Sequence, residues 1–220
     1  MLFFAVLLSS IHKRNHHAPG QKFEENAMIV KGKGLLKDGD IVVRLHKSPA
    51  SAIIKGLNQV DKSYSHAGIV QIENGKPEVY HIMPSEGNLK GVIRKASFNH
   101  FCDPTENAAF GIYRYQLSSD ELAKEKTILQ KWFEEKIAFD PLFDLLSNDR
   151  MYCSEMVAKL IENATQQRLN IKPTTITESE LKLFRAKYNL PESCGQGGMV
   201  YSIDNLYLNN SCECVMRFNF

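Results

Sequence analysis

Three residues whose side chains can act in catalysis fall in two parts of this chain. His66 opens the apolar run "HAGIV", His81 follows the next turn in "VYHIMP", and Cys153 begins "CSEMVAKLIENA". A cysteine beside a histidine can act as nucleophile and general base in acyl transfer, and a third polar group can orient the base. Each residue alone is more often an ordinary buried side chain, so the elements that carry them decide the question.

The two histidines belong to a predicted β-hairpin. Asn74-Gly75 separates two runs of strand composition, and a two-residue Asn-Gly loop between such runs is a strong hairpin signal. The register of such a turn makes His66 and His81 diagonal neighbours on one face, with roughly 7–8 Å between their backbones. Gly68 is then expected opposite His81, where it leaves space between the two rings. The predicted strands cover residues 67–73 and 76–83.

Cys153 is predicted to begin a helix, a position that activates a thiol. Free backbone N–H groups and the positive end of the helix dipole stabilise a thiolate there, so we expect the thiol pKa to lie below about 8.5. Helical spacing places the sulfur on an apolar stripe with Met156, Val157, Leu160 and Ala164. We therefore expect the sulfur to face the sheet and to meet His66 where the helix start crosses the strand start.

The chain resembles a known family in four stretches: "LKDGDIVVRL", "YSHAGIV", "VYHIMP" and "FDLLSNDRMYCSEMVAKLI". Together they resemble the YiiX/YebB-like permuted papain-like amidases, a branch of the NlpC-type cysteine peptidase superfamily. The resemblance covers residues from about 35 to 165, and its most specific signature is S-H-x-G followed later by Y-C-S-E. It implies a circularly permuted papain-like core, in which the histidine precedes the cysteine.

The resemblance also implies roles for individual residues. Cys153 matches the nucleophile and His66 the base, while His81 stands where these proteins commonly carry a glutamate. Other branches of the superfamily use histidine there, so His81 is interpreted as the group that orients the base. Tyr152 matches the family and is expected to line the acyl site, with plain packing as the alternative.

These roles imply a cysteine-dependent amidase or peptidase that works through an acyl-enzyme, without a cofactor or metal. The expected substrate is an amide bond in a bacterial cell-wall peptide or an amino-acid amide. Two other interpretations stay open: a lecithin retinol acyltransferase-like enzyme that acts on lipid acyl groups, and a non-catalytic binding module. A Cys/His/His set could also hold zinc, although a cysteine at a helix start favours nucleophilic activation.

The remaining elements predict an α+β fold, because a strand-rich middle is followed by helices. The resemblance adds an antiparallel sheet or partial barrel packed against those helices. Capping boxes are expected at Ser118 with Glu121 and at Thr177 with Glu180. Further strands are expected at 39–45, 90–96, 109–115, 199–208 and 212–220, and helices at 48–60, 118–139, 151–164 and 177–189.

Length and composition indicate one ordinary globular domain, predicted here for residues 31–220. The 220 residues are 43% apolar and 24% charged with a formal charge of +2, so the chain lacks the basic excess of nucleic-acid binders. Residues 1–30 begin with about eight apolar residues, too few to span a bilayer, and lack the basic start of a secretory signal. They are interpreted as a leader remnant or weak membrane anchor, with a structured helix as the alternative.

The cysteines leave the compartment undecided. Cys194 with Cys212 or Cys214 would make a reasonable disulfide in an oxidising compartment, and free cytosolic thiols are equally allowed. The N-terminal segment favours a cell-envelope, periplasmic or secreted location, with the cytoplasm left open, and suggests membrane association. The expected partners are a small peptide, a murein fragment or a lipid acyl substrate, and no nucleic acid.

Overall fold

The computed structural model describes residues 19–84, 90–195 and 197–220. Its strands are β1 (Ile41–His46), β2 (His66–Glu73), β3 (Lys76–Ile82), β4 (Ile93–Ser97), β5 (Asn107–Tyr115), β6 (Ala138–Phe139), β7 (Arg150–Met151), β8 (Thr174–Thr175), β9 (Met199–Val200) and β10 (Cys212–Asn219). Its α-helices are α1 (Pro19–Leu35), α2 (Pro49–Gly56), α3 (Phe98–Phe101), α4 (Ser119–Glu134), α5 (Cys153–Ala164) and α6 (Glu178–Tyr188).

Six of these strands form one antiparallel sheet in the order β10-β5-β1-β2-β3-β4. The prediction of an α+β fold with an antiparallel sheet packed against helices is confirmed.

Both faces of this sheet are buried, which explains the continuous apolar start of β1. On one face, Ile41 and Ile69 pack with the apolar residues of α5. On the other face, Val42, Val70 and Val79 pack with residues of α1 and α3. We call the first the thiol face, because α5 begins with Cys153, and the second the imidazole face, because it carries the two histidines.

The β2–β3 hairpin has the predicted turn and register. Asn74 and Gly75 have φ values of 50° and 74°, so both adopt the left-handed conformation of a type I′ turn. The pairs run from Glu73 with Lys76 to Ile69 with Tyr80 without a bulge. The register therefore places His66 and His81 on one face, as the sequence predicts.

Both predicted capping boxes are present. In α4 the Ser118 side chain accepts from the backbone N–H of Glu121, and in α6 the Thr177 side chain accepts from that of Glu180. The predicted helices at 48–60 and 118–139 are shorter in the structure and end at Gly56 and Glu134. In the second case the chain turns at Lys136, whose φ of 53° is incompatible with continued helix.

The predicted strand over 199–208 is wrong except for β9. A 3₁₀ turn at Ile203–Leu206 replaces it, because the Asp204 carboxylate accepts hydrogen bonds from the backbone N–H groups of Gln59, Val60 and Asp61. This long-range contact bends the segment away from an extended conformation.

Helix α1 runs across the predicted domain boundary at residue 30, and its Ile29 packs into the imidazole-face core. Residues 1–18, where most of the leader prediction falls, lie outside the described residues. Within the described part of the chain, no helix is both long and apolar enough to cross a membrane.

The suggested disulfide is not formed, since all five cysteines are free. Cys194 is buried in a cluster around α6, whereas Cys212 and Cys214 lie on β10 in the central sheet. The two ends of the suggested bridge therefore belong to different parts of the fold.

Candidate active site

A cavity of about 420 Å³ lies at the end of the sheet where β1 ends and β2 and α5 begin. Cys153, His66 and Tyr152 all line it. His81 does not reach the cavity and lies behind His66. Three of the four residues singled out in the sequence thus share one cavity, and the fourth supports one of them.

The start of α5 is held in place by a local network. Tyr152 is the N-cap, and its backbone N–H donates to the Glu155 carboxylate at 3.2 Å. The Tyr152 hydroxyl accepts from the backbone N–H of Tyr201 at 2.6 Å, and the Ser154 hydroxyl donates to the Tyr201 carbonyl at 2.6 Å. These bonds fix the backbone on both sides of Cys153.

The thiol of Cys153 is bonded by backbone N–H groups, as expected at a helix start, but it is also buried. Burial raises the pKa of the thiol above its usual value, while the N–H groups of Ala67 and Ser154 act to lower it. Desolvation is the larger effect. The prediction of a lowered thiol pKa is therefore wrong for this structure.

The two imidazoles contact each other directly. His66 Nε2 lies 3.0 Å from His81 Nδ1, and the rings are nearly perpendicular, with both packed against Phe101. Burial and the positive charge of Arg44 hold the pKa of His66 well below 6.5 and lower that of His81 to about 3. Both rings are therefore neutral at neutral pH, so one donates this hydrogen bond and the other accepts it.

The thiol and the imidazoles approach the cavity from opposite faces of the sheet. The prediction that α5 packs on the histidine face is wrong, because α5 covers the face of Ala67 and Ile69. The sulfur nevertheless reaches the backbone N–H of Ala67, the residue next to His66. The arrangement brings the two groups to the same end of β2, and a direct contact between sulfur and imidazole stays a prediction.

Sequence reasoning missed Arg44, a buried cation in the cavity wall. Its backbone pairs with that of His66 across β1 and β2. The available signal was a single charged residue inside the buried run "IVVRL", since a strand covered on both faces rarely accommodates a charge without a purpose.

Comparison with known proteins assigns the chain to a family. A model of the permuted papain-like amidase family, YaeF/YiiX, C92, matches residues 35–202. The chain belongs to this family. Family membership supports a cysteine-type amidase or peptidase and confirms the permuted papain-like core implied by the sequence motifs.

Two relatives show how far the similarity extends. The uncharacterized protein YiiX of Escherichia coli K12 is 25% identical over 160 residues, which cover 72% of this chain and 73% of the relative. A crystal structure described as metalloprotein yiiX from Escherichia coli O157:H7 aligns with a TM-score of 0.66 and 19% identity, covering 84% of this chain and 98% of that one. At this identity the second match shows a shared fold.

The Escherichia coli O157:H7 protein is described as a metalloprotein, and the corresponding question for this chain is whether its side chains could hold a metal ion. Among the described residues no group of three or more His, Cys, Asp or Glu side chains could hold a metal ion. His66 and His81 point ring nitrogens at each other at 3.0 Å, so they bond each other and do not converge on a shared ion. The residues that the structure describes therefore do not fit a metal site.

Proposed function

We propose that this member of the permuted papain-like amidases is a cysteine-dependent hydrolase with Cys153 as nucleophile and His66 as general base. The observation that carries the proposal is the presence of both side chains in one cavity, with the thiol at a helix start. His81, bonded to the far side of the His66 ring, orients that ring. Tyr152 lines the acyl site and holds the helix start through Tyr201.

The proton path follows from the ring contact. When His66 Nε2–H donates to His81 Nδ1, the other nitrogen of His66 has a free lone pair that can accept the thiol proton. Because both groups are neutral at rest, the proton moves as the sulfur attacks the carbonyl. His66 then gives the proton to the leaving group, and water, activated by His66, releases the acyl group from sulfur.

We propose an amide bond of a bacterial cell-wall peptide, or an amino-acid amide, as the bond that is cleaved. A small peptide or murein fragment is then the partner, and the cell envelope, periplasm or exterior is the compartment. Family membership and the Cys153–His66 pair support the amide. Fractionation of cells expressing the full chain tests the compartment, and a purely cytosolic location would contradict this part.

A lipid acyl group is the second candidate substrate, and the character of the cavity wall favours it. Many of the side chains that line the cavity are large and apolar: Ile54, Leu57, Phe139, Phe143, Phe184, Leu190 and Val200. Such a wall suits an acyl chain or a large apolar side chain. In this alternative Cys153 attacks an ester, and the membrane association expected from the N-terminal segment would place the cavity near its substrate.

The decisive experiment is mass spectrometry of products and of the intact protein with two substrate sets, murein peptides and mixed phospholipids. We expect the native protein to cleave one set and to carry a transient acyl adduct on Cys153. Cys153→Ala should do neither, and Cys102→Ala, which alters another buried cysteine, should behave as the native protein.

Each result has a defined meaning. Cleavage of peptides supports the amidase, and cleavage of phospholipids supports the lipid alternative. Cleavage that persists in Cys153→Ala would contradict cysteine catalysis. Tight binding of either set without cleavage would indicate the non-catalytic binding module.

A further inference from the structure

Among the residues that the structure describes, Arg44 is a buried cation without a counter-ion. It is only 8% exposed and lines the cavity that contains Cys153. Its Nη1 donates to the Phe101 carbonyl at 2.8 Å, and its Nη2 has only the Met83 sulfur at 3.8 Å. Its Nε is buried and has no partner at all. Within the described residues, five arginines form ion pairs with carboxylates, and Arg44 is not one of them.

Arg114 on the neighbouring strand β5 shows what a satisfied arginine looks like in this fold. Its guanidinium binds the buried Asp40 carboxylate with two hydrogen bonds of 2.6 and 2.7 Å. That bidentate pair is the usual way to stabilise a guanidinium taken out of water. Arg44 is more buried than Arg114 and lacks such a pair.

Among the described residues, no carboxylate contacts the guanidinium of Arg44 directly. Its guanidinium lies 4.4 Å from the centre of the Phe101 ring, and Arg94 adds further positive charge. Glu106 also lines the cavity and its charge acts to raise the pKa of Arg44, but its carboxylate pairs with His46 Nε2 at 3.5 Å and makes no hydrogen bond to the guanidinium. Cys102 and Cys153 are buried thiols with raised pKa values. Burial accordingly lowers the pKa of Arg44 to about 10.

We propose that Arg44 binds an anionic group of the substrate, a carboxylate or a phosphate, and so determines substrate specificity. The substrate then has an anionic end at Arg44, an amide or ester carbonyl at Cys153 and an apolar part against the apolar side chains of the cavity. This inference rests on the proposed function for the position of the carbonyl, and it adds the class of group that the cavity selects.

Binding of an anion at Arg44 also changes the base. The positive charge of Arg44 lowers the pKa of His66 and of His81. An anion bound to the guanidinium offsets that charge, which raises the proton affinity of His66 when substrate is in place. The same contact thus selects the substrate and strengthens the general base.

Calorimetric titration with matched ligands tests the proposal on Cys153→Ala protein, which cannot turn them over. The ligands are N-octanoylglycine, its neutral analogue N-octanoylglycinamide, and 1-octanoylglycerol 3-phosphate. We expect one or both anionic ligands to bind at least about tenfold more tightly than the neutral amide, the usual scale for a charge-assisted hydrogen bond. The two anionic ligands distinguish a carboxylate from a phosphate.

Three variants in the same background assign the preference to Arg44. Arg44→Gln should remove the preference for anions while leaving the affinity for the amide within about twofold, and Arg44→Lys should keep part of it. Arg94→Gln is the matched control: Arg94 is exposed, lies outside the cavity and also lowers the pKa of both histidines. It should keep the full preference. Circular dichroism checks that each variant is folded.

The proposal is overturned if the anionic ligands do not bind, bind no better than the amide, or keep their advantage in folded Arg44→Gln. A loss of preference in Arg94→Gln equal to that in Arg44→Gln would also overturn it. The preference for anions would then come from the overall positive charge near the cavity and not from contact with Arg44. Hydrolysis of the same ligands by protein with Cys153 intact tests the proposed function separately. Anion preference without any hydrolysis would leave Arg44 as a binding residue and contradict the hydrolase.

Discussion

The two faces of the central sheet contribute different chemistry to one cavity. On the thiol face, aliphatic side chains bury Cys153 and backbone N–H groups surround its sulfur. On the imidazole face, aromatic rings and a buried cation surround His66. Both environments disfavour charge, so the thiol and the imidazole are each expected to be neutral at rest.

The largest effect should come from removing sulfur on one face but not on the other. Cys153→Ala should reduce hydrolysis by about four orders of magnitude or more, as loss of a nucleophile does elsewhere. Cys102→Ala removes a buried thiol from the imidazole face and should retain activity within a few fold. Rate constants for a substrate identified by mass spectrometry provide the measurement. Similar losses in both variants would mean that packing, and not the nucleophile, governs activity.

His66→Ala should reduce turnover almost as much as Cys153→Ala. A nucleophile and its base act as a unit, so the double variant should be little worse than either single variant. Single-turnover rates of the three proteins, with folding verified by circular dichroism, test this. A double variant that loses the product of the two single effects would show that the two faces act independently.

His81 should matter less than His66, because it acts through the His66 ring. His81→Ala should lose on the order of 10–100-fold, the usual cost of an orienting partner. His81→Gln and His81→Glu keep an acceptor for His66, so we expect substantial residual activity, with Glu equal to or above the native residue. Complete loss in all three folded variants would assign chemistry to His81 itself.

Gly68→Ala should weaken the hairpin that holds the imidazoles. A Cβ at this position would lie 2.6 Å from Val79 Cγ1 and 2.8 Å from the Tyr80 carbonyl oxygen, which is backbone and cannot move cheaply. We expect a loss of about 1–3 kcal/mol in the free energy of unfolding. Gly34→Ala, in a helix with nothing within 4 Å of the new Cβ, should be neutral or slightly stabilising. Equal melting temperatures for both variants would contradict the close packing.

Thiol labelling should show the smallest effect, a shift in pH dependence. Because burial raises the pKa of Cys153 above its usual value, half-maximal labelling by iodoacetamide should require a more alkaline pH than an ordinary thiol needs, and the exposed Cys214 should react first. The fully buried Cys102 on the imidazole face should resist even longer, since burial also raises its pKa. Peptide mass spectrometry over a pH series gives the order. Labelling of Cys153 well below pH 8.5 would show that the helix start outweighs burial.

The hairpin could be predicted from sequence because its determinants are local. Asn74-Gly75 fixes the turn, and the turn fixes the register that brings His66 beside His81. The helix start at Cys153 was equally predictable from its neighbours.

The face that α5 covers was not predictable in the same way. A strand buried on both sides is apolar on both faces, so its sequence does not indicate which face a given helix covers. The side on which the thiol packs therefore depends on distant segments. The prediction of a lowered thiol pKa was wrong for the same reason, since the residues that bury the thiol lie far along the chain. Arg44 was visible in the sequence as a single charge in an apolar run, but its burial with an unpartnered Nε could be seen only in the fold.

The order of strands in the sheet has a consequence for how the protein folds. His66 and His81 are 15 residues apart and belong to a meander of adjacent strands, whereas β5 pairs with β1 and β10 across long intervening segments. Closing long loops costs more entropy than closing short ones, so the meander is expected to form early and the thiol helix to dock later. The imidazole pair would then be assembled before Cys153 arrives, and a partly folded chain would hold its reactive groups apart.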